Sequence, residues 1–196
     1  MFAALLDTCV LWPSKQRDFL LSLAVVNLYR PLWSSAILDE LQYCEVDKLV
    51  RFGVPQGEAE GRATRLIEMM RSYFDDAEVQ NWQPYEGTFG LPDPDDEHVI
   101  AAAVAGHAGA IVTDNLKHFP QDKMPPAIEV ISPSEFAANT VAVAPELALE
   151  AVTTLVARLR KPPVSVEGFL AVLRERYGME EAVALINDVR QGAVGP

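Results

Sequence analysis

The stretch Asp93-Pro94-Asp95-Asp96-Glu97-His98-Val99-Ile100-Ala101-Ala102, followed shortly by Ala110-Ile111-Val112-Thr113-Asp114-Asn115, decides the fold class. Its first half has the form of a helix start. Asp93 offers a side-chain oxygen to the free N–H groups of a first turn, and Pro94 sits where its missing N–H costs nothing. The spacing predicts a helix to about Gly106, with Gly106 and Gly109 bracketing its end. Ala110 to Thr113 is a short apolar run that predicts a buried strand leading into Asp114-Asn115. A helix feeding a short buried strand is the unit from which parallel sheets are built.

The same alternation extends outward in both directions. Residues 1–12 read as one buried strand in which Asp7 and Thr8 are the clearly polar members, stopped by Pro13. Residues 16–27 carry Phe19, Leu20, Leu23 and Val26 at helical spacing, and Leu32-Trp33-Ser34 form a second short strand. Ser34 or Ser35 caps a helix over about 36–52 with Glu40 in its early turns, and 56–74 is a further amphipathic helix. Residues 81–91, with Pro84, Gly87 and Gly90, read as a loop, and 128–131 as a strand before Pro133. Strands alternating with helices predict an α/β domain, a mostly parallel sheet with helices on both faces, over residues 1–140. From Pro145 the pattern is helical only, over 146–159, 166–177 and 180–189, with Lys161-Pro162-Pro163 as a hinge. Residues 141–196 therefore read as a helical C-terminal extension.

Composition narrows the class of function. With 196 residues, 49% hydrophobic and 22% charged, the chain suits one main globular domain plus a small appendage. No apolar run reaches the roughly 20 residues of a membrane span, and Asp7 interrupts an apolar start that lacks a basic leader. A cytoplasmic protein without membrane attachment is expected. Cys9 and Cys44 are too few for a disulfide framework and lack zinc-ligand spacing. The net charge of −12 argues against binding nucleic acid through a broad basic surface. Residues 1–140 hold 10 Lys and Arg against 21 Asp and Glu, whereas 141–196 hold 6 against 7. The acidity thus concentrates in the α/β part, where a bound cation would reverse the local field.

Ligands of an open parallel sheet bind beyond the carboxyl ends of its strands. Asp7 and Asp114 lie at two such ends, and Asp96 opens the helix before the second. Carboxylates forced together repel unless a divalent cation neutralises them, and an oxygen-only site suits Mg²⁺ or Mn²⁺. Simpler readings stand beside this one. Acids in a first helical turn favour the helix dipole, Asp39 competes with Glu40, and Asp114-Asn115 suits a turn. No Ser-His-Asp, Cys-His or glycine-rich phosphate pattern is present. A haloacid-dehalogenase reading fails because Cys9 stands two residues after Asp7 in place of a second Asp. His98 and His118 read as structural or substrate-contacting, and the clusters Arg158, Arg160, Lys161 and Arg174, Arg176 as a solvated face or a contact to a phosphate backbone.

Four blocks in order, Leu5-Leu6-Asp7-Thr8, Ser34 ahead of Glu40-Leu41, Asp93 to Ala102, and Ile111 to Pro120, resemble the successive motifs of PIN-domain proteins, the VapC-type toxin ribonucleases among them. The resemblance covers about residues 1–140. It implies that Asp7, Glu40, Asp96 and Asp114 ligate one or two Mg²⁺ or Mn²⁺ ions and carry metal-assisted hydrolysis of RNA phosphodiesters. It further implies that Thr8, Ser34 and Asn115 orient these carboxylates. In the family the last acid usually stands where Asn115 is, and Cys9 replaces the customary Asn or Ser. An RNA substrate, a cognate antitoxin and a homodimer are the implied partners. A PIN-like binding module without catalysis is the alternative, and a metal-dependent DNA nuclease or phosphatase the third reading.

Overall fold

The computed structural model describes residues 1–160 and 162–192, so Lys161 of the expected hinge and basic cluster lies outside the described residues. Five strands, β1 (Ala3–Leu6), β2 (Arg30–Ser34), β3 (Glu78–Val79), β4 (Ala110–Val112) and β5 (Glu129–Ile131), form one sheet in the order β3-β2-β1-β4-β5. β1 runs parallel to β4 with Ala4, Leu5 and Leu6 opposite Ala110, Ile111 and Val112, and β2 runs parallel to β3. The α/β class and the parallel sheet are as the sequence predicts.

The helices are α1 (Thr8–Leu11), α2 (Ser14–Val25), α3 (Ser35–Arg51), α4 (Gln56–Tyr73), α5 (Glu97–Ala105), α6 (Pro133–Val143), α7 (Pro145–Arg158), α8 (Val166–Tyr177) and α9 (Glu180–Gly192). Among the described residues no single helix is long and apolar enough to cross a membrane. The chain divides into two compact units. One comprises Phe2–Trp12 and Pro31–Val130: here α3 and α4 pack as a hairpin, α1 rests on α3, and α5 packs against β1 and β4. Its core includes Leu5, Leu6, Trp33, Ile37, Leu38, Ile111 and Val112, each at most 1% exposed. The other joins α2 to the helices from Ile131 onward, with Tyr29 edge-on to Phe136 at 4.8 Å.

The structure amends the sequence reading at two places. Residues 1–12 are not one strand: β1 stops at Leu6, and α1 begins immediately after Asp7. An apolar run this short has no periodicity that separates strand from buried helix. Strand β3 and helix α6 add to the expected elements. Pro133 is the first residue of α6, with Ser132 as its cap accepting from the Glu135 N–H at 3.2 Å. Gly106 bounds α5 as expected, although the left-handed residue of the turn is His107 at φ 53°. Gly106 is needed for close approach instead, since a Cβ there would lie 2.7 Å from Val79 Cγ2 and 3.1 Å from Leu32 Cδ1.

Candidate active site

Asp7 is the centre of the arrangement. Its N–H donates to the Val112 carbonyl at 3.1 Å, prolonging the β1–β4 ladder by one residue. The chain then turns into α1 with Asp7 at the cap position, yet the carboxylate makes no capping bond. The acid is 5% exposed and takes its partners from elsewhere. Thr113 Oγ1, just past β4, donates to Asp7 Oδ2 at 2.6 Å, and Cys9 Sγ donates to the same oxygen at 3.1 Å. Both donors are oriented by backbone. The Asn115 N–H donates to Thr113 Oγ1 at 3.0 Å, and the Asp114 N–H donates to Cys9 Sγ at 3.3 Å. Burial first, then the charge of Asp7, pushes the Cys9 thiol up to about 12, so at neutral pH it keeps the proton it donates.

Glu40 is reached from two directions. Ser34 Oγ accepts from the Ile37 N–H at 3.2 Å, which starts α3 and places Glu40 in its second turn. Thr8 Oγ1 then donates to Glu40 Oε2 at 2.6 Å, and His98 Nε2 lies 3.2 Å from Glu40 Oε1. Burial alone would raise the Glu40 carboxyl, but the hydrogen bonds from His98 and Thr8 outweigh it and lower it. Asp39 and Glu40 differ in their partners. Thr8 and His98 engage Glu40, whereas the charge of Asp39 is felt by Arg71. Ser34 acts on Glu40 through the helix start, and its hydroxyl bonds to backbone.

Asp93 caps the short 3-10 turn Pro94–Asp96 by accepting from the Asp95 N–H at 3.1 Å. Asp96 follows, and its Oδ2 lies 2.6 Å from Nδ1 of His118, which itself lies 4.0 Å from Asp93 Oδ2. Asp93, Asp96 and His118 each offer one ligand atom within 4.8 Å of the others. Burial raises the Asp96 carboxyl, His118 opposes this, and the charges of Asp7 and Asp93 raise it again. Asp114 is raised likewise, by burial and then by Asp7. Burial lowers His98, but Glu40, Asp7 and Glu86 together raise it.

Asp7 is thus felt by Cys9, Asp96, His98 and Asp114 at once. Among the described residues no Lys or Arg side chain pairs with Asp7, Asp96 or Asp114. Converging carboxylates without a fixed cation are the donor set that a divalent ion fits. The charge of Asp7 reaches Asp96 and Asp114 directly, whereas Glu40 is joined to them through its partners Thr8 and His98, and Asn115 contributes its backbone N–H and is exposed.

Four functional neighbours escape sequence reasoning: Thr113, Cys9 and His118 as partners of the acids, and Glu97. Glu97 is 4% exposed and accepts from the Leu91 N–H at 2.8 Å and the Phe89 N–H at 3.2 Å. It pins the preceding loop beside Asp96. For Thr113, Cys9 and Glu97 the available signal is position, since each lies within two residues of a candidate acid; His118 offers only its place in the Ile111–Pro120 block.

Residues 3–117 match the family model described as PIN domain, and residues 133–188 match the one described as VapC50 C-terminal domain. Over 82 residues the chain is 35% identical to a protein of Mycobacterium tuberculosis named "Putative ribonuclease VapC50", covering 41% of this chain and 48% of that protein. The match therefore spans about half the length of that curated relative. No solved structure matches the chain.

Proposed function

The chain belongs to the PIN-domain family, and on that premise we propose that it is a metal-dependent endoribonuclease, the toxin of a toxin–antitoxin pair, working in the cytoplasm. One observation carries the reading. A buried Asp7, clamped by Thr113 and Cys9, sits where its charge reaches Asp96 and Asp114, and no Lys or Arg among the described residues neutralises the group. The relative's name, a ribonuclease, agrees with it.

Asp7, Glu40, Asp96 and Asp114 would hold one or two Mg²⁺ or Mn²⁺ ions. The chemistry such a site would supply is charge neutralisation of the scissile phosphate and acidification of the attacking water. The chain's own residues supply position. Thr113 and Cys9 fix the Asp7 carboxylate, and Thr8 and His98 hold one oxygen each of Glu40. Ser34 anchors the helix that carries Glu40, and Asn115 sets the Thr113 hydroxyl. His118 holds Asp96 beside Asp93. We take residues 1–140 as the nuclease part and 141–196 as its helical extension. RNA is the substrate, a cognate antitoxin that presents a cationic group to the acids is the partner, and the active form is a homodimer.

The test is cleavage of a mixed pool of structured and single-stranded RNAs with Mg²⁺ or Mn²⁺ by wild type, Asp7→Asn and Asp96→Asn. Metal-dependent cutting by wild type and a loss of about 100-fold or more in both variants are expected, the scale of removing a transition-state contact of about 3 kcal/mol. Folded protein that neither cuts RNA nor binds Mn²⁺ would favour the other reading, a PIN-like binding module. Asn115 at the family's last acidic position is what supports that reading.

A further inference from the structure

Glu40 is half exposed, with 49% of its side chain accessible, and sits on an open helix surface. A glutamate so placed has three freely rotating bonds and no reason to keep one orientation. Its two oxygens are nevertheless separately engaged, Oε2 by Thr8 and Oε1 by His98. The donors are not arbitrary neighbours. Thr8 directly follows Asp7, and His98 stands two residues after Asp96, in the first turn of α5. Glu40 is therefore registered against both of the other principal acids through one donor from each.

His98 is built to do this at a cost to itself. Its side chain is 8% exposed, and its ring meets Trp82 at an interplanar angle of 62° with centroids 6.3 Å apart. Nδ1 is buried and has no hydrogen-bond partner. A buried imidazole with one nitrogen unsatisfied packs less favourably than a phenyl ring of similar size. Only Nε2 gains anything from the imidazole, and what it gains is Glu40. The carboxylate acceptor also sets the tautomer, with the proton on Nε2.

We propose that His98 is a positioning residue of the metal centre: its Nε2–H fixes the Glu40 carboxylate against Asp7 and Asp96, and it acts on the bound cation through Glu40 alone. This rests on the reading of the acids as a divalent-metal site. Asparagine and glutamine separate a positioning role from a packing role, because a glutamine amide nitrogen reaches the place of Nε2 and an asparagine one only that of Nδ1. Mn²⁺ binding to the full chain, measured by isothermal titration calorimetry, is expected to weaken about 10-fold or more in His98→Phe and His98→Asn. In His98→Gln it should return to within about threefold of wild type. In a Glu40→Leu background, His98→Phe is expected to change nothing further, since the contact it removes is already gone. Circular dichroism on each variant shows that it is folded.

Equal weakening in His98→Gln and His98→Phe overturns the proposal, as does a further loss from His98→Phe in the Glu40→Leu background. Imidazole nitrogen shifts of the metal-free chain give a readout without metal or RNA: an Nε2–H tautomer that changes on Glu40→Leu is expected, and an Nδ1–H tautomer refutes it. If that signature and the Mn²⁺ pattern hold but wild type cuts no RNA, the nuclease reading fails and the role of His98 stands. Normal cleavage and normal Mn²⁺ binding in His98→Phe overturn the proposal and leave the nuclease reading standing.

Discussion

Replacing Thr113 with valine tests the clamp on the central acid. Thr113 is fully buried, and its hydroxyl lies 2.6 Å from Asp7 Oδ2 while accepting from the Asn115 N–H at 3.0 Å. Valine keeps the shape and deletes both bonds together with the hydroxyl's weaker 3.4 Å contact with Cys9 Sγ. The bond to Asp7 is made to an ionised carboxylate, and such a bond contributes about 1.5–3 kcal/mol. The Asn115 N–H belongs to an exposed residue and regains a partner from water, so it adds little. The surviving donor to Asp7, Cys9 Sγ at 3.1 Å, is a thiol and a weaker one. A loss of about 2 kcal/mol is therefore expected for the metal-free protein. For a chain of this length that lowers Tm by about 4–8 °C. The assay is thermal and urea unfolding in EDTA of wild type, Thr113→Val and Thr113→Ser. Serine keeps the hydroxyl and loses one methyl group, about 0.8 kcal/mol. A valine variant as stable as wild type, or a serine variant as unstable as valine, would refute the claim that this hydroxyl stabilises a buried charge.

Asp114 and Glu97 give two more tests of the same geometry. Asp114 has a folded pKa above its unfolded one, through burial and the charge of Asp7. Ionising it therefore opposes folding at neutral pH, and this cost vanishes as pH falls below the ordinary carboxylate range of about 4. Asp114→Asn should raise the Tm of the metal-free protein at pH 7 and leave it unchanged at pH 3, while Mn²⁺ should stabilise wild type more than the variant. A Tm gain that persists at pH 3 would count against the electrostatic cause. Glu97→Gln turns one acceptor facing the Phe89 and Leu91 N–H groups into a donor, at a cost of about 1–3 kcal/mol. Hydrogen exchange should show protection lost at those two amides, and unchanged protection would show that Glu97 does not hold the loop.

What can be read directly from the sequence is local. Asp93 as cap, Pro94 behind it and the apolar residues of α5 act over one or two turns, and the structure keeps them all. The strand Ala110–Val112 is apolar because it is fully buried, which is why it is legible. The resemblance of Asp7, Glu40, Asp96 and Asp114 to a family pattern names the acids, and the fold sets Asp7 within electrostatic reach of Asp96 and Asp114 and links Glu40 to them through Thr8 and His98. Where local signals conflict, the sequence misleads. Ser132 and Glu135 form a capping pair around Pro133, so that this proline opens α6, although a proline after an apolar run reads equally as the end of a strand. Strand β3 has two residues and leaves no periodicity to find.

The clamps on the acids are decided by tertiary structure. Thr113 meets Asp7 across 106 residues of sequence, and Thr8 meets Glu40 across 32. A threonine, a cysteine or a histidine has many possible partners, and nothing in its immediate neighbours selects one. The parallel pairing of β1 with β4 selects Thr113 for Asp7, because Asp7 and Thr113 each follow the last paired residues, Leu6 and Val112. The packing of α1 on α3 brings Thr8 to Glu40. Propensity and burial, both written in the sequence, thus settle which residues carry charge and where most helices and strands lie. Which donor holds which carboxylate depends on register and helix packing, which exist only once the chain has folded.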